Sequence, residues 1–309
     1  MADKILHDFF PALRVHKNGR VERLMGLDLV PPSLDPLTSV QSKDVQIAPE
    51  INLSARIYIP PNADPTKKLP LLVYYHGGGF IIESAFSPFY HKHLNHLVAQ
   101  ANVVAVSVNY RLAPEFPIPA AFEDSWRALK WSAKGKDEWI NEFADLNRVY
   151  LGGDSAGANI AHNMAMRVGL ENPEGFNLLG IFLNCPFFGG MDLIGSETTE
   201  ESKRWREFFE KLWGFVCPSL RDRDEGWVNP AKDPKLSGLG CRKVLVYVAE
   251  KDFLKDRGLY YKEVLSNCGW KGEIECVEVV GEDHCFSMIN SDSEVAIDMI
   301  KKVASFINQ

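Results

Sequence analysis

Gly152-Gly153-Asp154-Ser155-Ala156-Gly157 follows directly on an apolar run, Val149-Tyr150-Leu151. A serine among glycines at the end of a strand is either an ordinary turn or a nucleophile held out of the fold. The glycines permit a sharp strand-to-helix turn, and the next stretch, Ser155 to Gly169, reads as a helix. That turn exposes the serine hydroxyl and aims the positive end of the helix at it. Such a turn also constrains the fold, because it requires a strand before it and a helix after it. The G-x-S-x-G match of Gly153 to Gly157 is weak by itself. A nucleophilic serine also needs a base, a group to orient the base, and donors for a developing oxyanion.

On either side of this turn the chain shows a regular rhythm. Strands are expected over Asn52–Ile59, Leu69–Tyr75, Val103–Val108, Arg148–Gly152, Leu178–Cys185, Lys243–Ala249 and Ile274–Val280. Helices are expected over Ser87–Gln100, Pro119–Ala133, Ser155–Gly169, Leu254–Cys268 and Ser293–Ile307. Continuous apolar strands alternating with helices imply a mostly parallel central sheet covered on both faces. Such sheets carry their sites just beyond the carboxyl ends of the strands. Two stretches break the rhythm. The first fifty residues are irregular and proline-rich, with a possible helix at the start. The stretch Phe187 to Gly240 shows no clear strand and reads as an inserted covering element with a helix over Ser202–Val216. Its aromatics Trp205, Phe208, Phe209 and Trp213 either line a substrate pocket or pack the insertion onto the sheet.

The strand ends supply every partner that Ser155 needs. After Leu69–Tyr75 comes His76-Gly77-Gly78-Gly79-Phe80, backbone that can approach a charged oxygen closely. The amides of Gly77, Gly78 and Ala156 are the expected oxyanion donors. After Lys243–Ala249 comes Asp252, with Asp256 and Glu250 as weaker alternatives. After Ile274–Val280 comes His284, on a loop that starts at Gly281. The order Ser155, Asp252, His284, each after its own strand, is that of the α/β-hydrolase fold. The run His91-Lys92-His93-Leu94-Asn95-His96 has no nearby carboxylate set and reads as a helix face, not a metal site.

Composition narrows the partners. The 309 residues carry 34 Lys and Arg against 41 Asp and Glu, a net charge of −7. No basic stripe offers to neutralise phosphates, so nucleic acid is not expected as a partner. The N-terminus has no apolar core of a signal peptide, and no apolar run reaches membrane-spanning length. The six cysteines include no C-x-x-C pair and read as reduced thiols, which makes the cytoplasm the default location.

The motifs His76-Gly77-Gly78-Gly79-Phe80, Asn109-Tyr110-Arg111-Leu112-Ala113-Pro114-Glu115 and Gly153-Asp154-Ser155-Ala156-Gly157 together resemble the hormone-sensitive-lipase-like carboxylesterases. The plant branch, with its carboxylesterases, 2-hydroxyisoflavanone dehydratases and gibberellin receptors, is the most similar. The resemblance covers nearly the whole chain. It implies Ser155 as nucleophile, His284 as base and Asp252 as its orienter. It implies a helical cap built from about residues 1–40 and the insertion at about 187–240, within a single domain. Phe80, Ile81, Phe86 and Phe286, with Trp205 and Phe209 from the insertion, are then expected near the substrate. The implied activity is hydrolysis of a small-molecule ester without metal or cofactor, by a monomer or a homodimer. His284 argues against the receptors, which lack that histidine, and Ser155 favours ester hydrolysis over dehydration. The N-terminal and Glu83-Ser84-Ala85-Phe86 stretches also resemble alkaloid cyclases of the branch, so an alkaloid ester is one expected substrate.

Overall fold

The computed structural model describes residues 4–309. The strands are β1 (Ile5–Phe9), β2 (Leu13–His16), β3 (Val21–Arg23), β4 (Gln41–Ala48), β5 (Leu53–Ile59) and β6 (Leu69–Tyr75). They continue with β7 (Val104–Asn109), β8 (Ala144–Asp154), β9 (Leu178–Asn184), β10 (Lys243–Ala249) and β11 (Glu273–Val279). The helices are α1 (Pro88–Ala101), α2 (Ala120–Ala133), α3 (Glu138–Phe143) and α4 (Ala156–Glu171). After them come α5 (Lys203–Val216), α6 (Lys255–Asn267), the short α7 (Phe286–Ile289) and α8 (Glu294–Asn308).

One eight-stranded sheet runs in the order β11-β10-β9-β8-β6-β7-β5-β4. The strands from β6 to β11 pair in parallel, and β4 and β5 join antiparallel at one edge. The strand β6 is buried along most of its length, and its side chains alternate between two cores. Leu71, Val73 and Tyr75 face one core with Trp126 of α2, Ile160 of α4 and Tyr261 of α6. Leu72 and Tyr74 face the other with Leu94 of α1 and Met299 of α8. Helices therefore cover both faces, which is why these strands lack polar alternation. The chain steps from β6 to β7 on one side and then to β8 on the other. That reversal opens a crevice at the carboxyl ends of β6 and β8.

Two findings depart from the sequence reading. The start of the chain is not helical: β1, β2 and β3 form a separate three-stranded antiparallel sheet. Residues 1–3 of the expected covering segment lie outside the described residues. The edge strand β4 is also present where the sequence looked irregular. Its burial alternates between exposed and covered positions, so its apolar signal is half that of a central strand.

The N-terminal sheet and the insertion are pinned over the same crevice. Arg23 donates to Glu115 at 2.6 Å and to the carbonyls of Ile81 and Ala113. Phe9 packs against Phe208 and Phe215 of α5. The insertion is tied down by Arg257, whose guanidinium meets Glu197 at 2.6 and 2.7 Å in a fully buried pair. Further bonds from Arg257 to the carbonyls of Gly189 and Asp192 bring four of its five N–H donors to an acceptor, as a buried charge requires. No helix among the described residues is long and apolar enough to cross a membrane.

Candidate active site

Ser155 sits between β8 and α4 with φ +51° and ψ −116°. That conformation is strained for a residue with a side chain and is held by its surroundings. The chain end of β6 runs against the start of α4. A Cβ at Gly157 would lie 1.9 Å from the Tyr75 carbonyl oxygen, so only glycine fits there. The Ser155 amide donates to the Asn184 carbonyl, and Phe187 N–H donates to the Ser155 carbonyl. These bonds fix the turn from the β9 side.

His284 Nε2 lies 3.0 Å from Ser155 Oγ, and His284 Nδ1 lies 2.7 Å from Asp252 Oδ2. The other Asp252 oxygen accepts the Leu254 amide at 2.9 Å, which aims the carboxylate at the ring. The structure thus brings together the three residues expected from sequence. Asp256 instead holds the Ser196 amide and hydroxyl, and Glu250 accepts the Gly281 amide. Neither alternative reaches the histidine. Burial works against charge on His284, but the Asp252 carboxylate outweighs it, with help from Cys185. The imidazole is held well above the ordinary histidine range.

The oxyanion donors need a correction. The Gly77 amide donates to Tyr90 Oη at 2.7 Å and is not free for substrate. Tyr90 in turn donates to Asp154 Oδ2 at 2.8 Å, and Tyr74 donates to Asp154 Oδ1 at 2.9 Å. Gly77 is therefore a brace, with the buried Asp154 as its anchor. Gly78 and Gly79 line the cavity beside Ser155, and their amides have no partner among the described residues. The Ala156 amide opens α4, where no intrahelical acceptor exists. Beside Ser155, the uncommitted amides are therefore those of Gly78, Gly79 and Ala156. Burial pushes the Asp154 carboxyl up to about 6, against the lowering effect of its bonds from Tyr90 and Tyr74. His76 is buried, stacks on Tyr110 at 4.1 Å, and is pushed down to about 4 by desolvation, so it stays neutral.

The serine and histidine open on a cavity of about 570 Å³ with mostly apolar walls. Of the residues expected near substrate, Ile81 and Phe209 line it. Four do not. Phe80 has φ +64°, which turns its side chain inward to pack on Phe122 and Trp213. Phe86 lies over the Arg56 guanidinium in a separate cleft. Trp205 is 54% exposed on the outer side of α5, against Phe209. Phe286 is buried in the core under α1 and α8. Phe208, one of the insertion aromatics weighed as pocket residues, also lines it, and the walls are completed by residues that the sequence did not single out: Met25, Ile82, Phe89, Leu212, Met288 and Ile289. Of the remaining insertion aromatics, Trp213 serves packing, stacked 4.5 Å from Phe187. Both readings of the insertion aromatics hold, for different residues on different sides of one helix.

The histidines of α1 are dispersed. His91 bonds to Arg56 and Tyr58, while His93 is buried against Tyr74. All six cysteines are free thiols.

Comparison with known proteins agrees with this geometry. A family model described as alpha/beta hydrolase fold matches residues 72–288. A relative named probable carboxylesterase 2 from Arabidopsis thaliana is 47% identical, covering 98% of this chain and 96% of its own. A relative named 2-hydroxyisoflavanone dehydratase from Glycyrrhiza echinata is 44% identical, covering 96% of this chain and 94% of its own. Among solved structures, an esterase from Pyrobaculum calidifontis superposes with a TM-score of 0.74 at 27% identity, covering 86% of this chain and 84% of its own. The chain belongs to the alpha/beta hydrolase fold family, among relatives named as plant carboxylesterases and 2-hydroxyisoflavanone dehydratases.

Proposed function

We infer that the protein is a serine carboxylesterase that hydrolyses small to medium apolar carboxylic esters through an acyl-enzyme. The observation that carries the reading is the unbroken relay Ser155–His284–Asp252 at the floor of a mostly apolar cavity. Relatives named carboxylesterase and a solved esterase of the same fold support it. His284 takes the Ser155 proton as the oxygen attacks the ester carbonyl. Asp252 holds the ring tautomer and stabilises the imidazolium. The amides of Gly78, Gly79 and Ala156 receive the oxyanion. The alcohol leaves with the proton from His284, and water reverses the sequence to free the acid. In this reading the segments at about 1–40 and 187–240 act as the cap of a single domain. The free thiols support a reducing compartment, and we place the protein in the cytoplasm.

The test is a pre-steady-state experiment with p-nitrophenyl acetate and butyrate. A burst of p-nitrophenol equal to the enzyme concentration is expected, and a fluorophosphonate probe should attach to Ser155. A folded protein with neither burst nor label would remove the acyl-enzyme.

The finer substrate class is an ester of a plant specialised metabolite, an alkaloid carrying a protonated amine. What supports it is Glu83, which lines the cavity and has one buried carboxylate oxygen without a partner among the described residues. An apolar site with one uncommitted anion suits an apolar ligand with one cation. Where the ester is a methyl ester of a β-carbonyl acid, the freed acid loses carbon dioxide without further catalysis. Paired esters of equal size, one with a tertiary amine and one with a branched carbon, test this. The amine ester is expected to have a kcat/KM at least about tenfold higher, the scale of a charge-assisted bond, with the preference lost in Glu83→Gln. Equal rates in the wild type would remove the alkaloid reading and leave the esterase intact.

A second reading is a dehydratase, as two relatives of that name suggest. His284 would then remove a proton next to a carbonyl, and the same amides would stabilise the enolate while water leaves.

A further inference from the structure

The neighbourhood of His284 contains two thiols that ester hydrolysis does not use. Cys185 follows β9 directly and Cys285 follows His284 in the chain. Their sulfurs and a His284 ring nitrogen all lie within 4.8 Å of one another. This is the one such grouping of three histidine, cysteine or acidic donors among the described residues. Both cysteines have backbone in the left-handed region, with φ +47° at Cys185 and +53° at Cys285. The two turns converge on the same ring from different strand ends. Cys185 is buried, whereas Cys285 is part of the cavity wall, so an ion in the cavity has a path to the cluster.

We propose that Cys185, Cys285 and His284 form a site for a thiophilic divalent cation, zinc or cadmium, and that its occupation switches the hydrolase off. Two thiolates and one imidazole are donors that zinc takes in tetrahedral sites. Bond lengths of about 2.0–2.3 Å place tetrahedral donors about 3.3–3.8 Å apart, so the present group needs to close by at most about 1.0–1.5 Å. Side-chain rotation at the half-covered Cys285 supplies such a shift. Of the two ring nitrogens, Nδ1 is committed to Asp252 at 2.7 Å, which leaves Nε2 for the ion. The resulting carboxylate–histidine–metal chain is a common way of orienting a metal-bound imidazole. Nε2 is also the atom that must accept the Ser155 proton. Each thiol releases its proton to solvent as it coordinates, and Ser155 loses its base.

The inhibitory consequence rests on the esterase reading, but the site does not, so the experiment has two arms. In the first, the reduced full-length protein is titrated with cadmium chloride while the ultraviolet thiolate-to-cadmium charge-transfer band is followed. One ion per chain is expected to bind tightly. Cys185→Ser and Cys285→Ser should each reduce the band and weaken binding by about 100-fold, the upper end of losses seen on disturbing metal sites. Cys268→Ser, at a thiol remote from the cluster, should leave both unchanged. Ser155→Ala should bind as the wild type does. Thermal unfolding of each serine variant confirms that it is folded, and the Ser155→Ala arm needs no activity at all. In the second arm, zinc chloride should abolish p-nitrophenyl acetate hydrolysis, reversibly on adding EDTA, at a concentration shifted upward by the same factor in both cysteine variants. No band in the wild type, or a band that survives both cysteine substitutions, overturns the site. Binding that leaves hydrolysis intact overturns the capture of His284. A wild type without hydrolysis before metal is added refutes the esterase reading instead, while the spectral arm still decides the site.

Discussion

Ser155→Ala is expected to lower kcat for p-nitrophenyl acetate by about 10⁵-fold while the protein folds normally. The hydroxyl lies 3.0 Å from His284 Nε2, and no other hydroxyl among the described residues bonds to that ring. Without it no acyl-enzyme can form. The proposed oxyanion donors at Gly78, Gly79 and Ala156 remain, so a residual rate above that of water is expected. The fold should tolerate the change, because alanine is smaller and the bonds that fix the turn are made by backbone groups. The strain at φ +51° remains in the variant, so melting temperature should shift little. The variant also separates the two readings of function. A dehydratase would retain turnover of its hydroxylated ketone in Ser155→Ala, since His284 and the oxyanion donors are still present. Hydrolysis that persisted at the wild-type rate would show that Ser155 is not the nucleophile.

Asp252→Asn is expected to lower kcat/KM by about 10⁴-fold near neutral pH. An amide in place of the carboxylate can donate to Nδ1, which favours the tautomer whose proton sits on Nε2. That tautomer cannot accept the Ser155 proton. The pH profile carries a second signature. In the wild type His284 is held well above the usual histidine value, because the Asp252 charge outweighs burial. The base works only when neutral. Wild-type kcat/KM should therefore rise with pH along a limb that lies above pH 6.5, the unperturbed value. Removing the carboxylate leaves burial, which lowers, against the smaller raising effect of Cys185. Asp154 and Cys285 face the same corner and are unchanged by the substitution. The limb in Asp252→Asn should move to lower pH while its plateau falls. An unmoved limb would mean that Asp252 does not set the charge on His284.

The alternation of central strands with helices and the positions of Ser155, Asp252 and His284 were legible in the sequence because both are local. Each residue stands just past its own apolar run, and a parallel sheet gathers all such positions along one edge. The glycines at 153 and 157 carry the same information, since a turn that tight excludes side chains. Other features were decided only by contacts between distant parts of the chain. Gly77 reads like any oxyanion donor until Tyr90, thirteen residues on, takes its amide. Phe80 and Phe286 stand beside chemical residues in the sequence, yet backbone direction turns both into core. The N-terminal sheet looked irregular because short, half-exposed strands carry little apolar periodicity. Met25, just past β3, lines the cavity, and β3 itself is anchored by the Arg23–Glu115 ion pair, which no local pattern announces. Cys185 and Cys285 lie a hundred residues apart and meet at one histidine for the same reason. Local spacing records which face of a strand or helix is apolar. It does not record which distant side chain arrives to meet it, and that is where the walls of this cavity were settled.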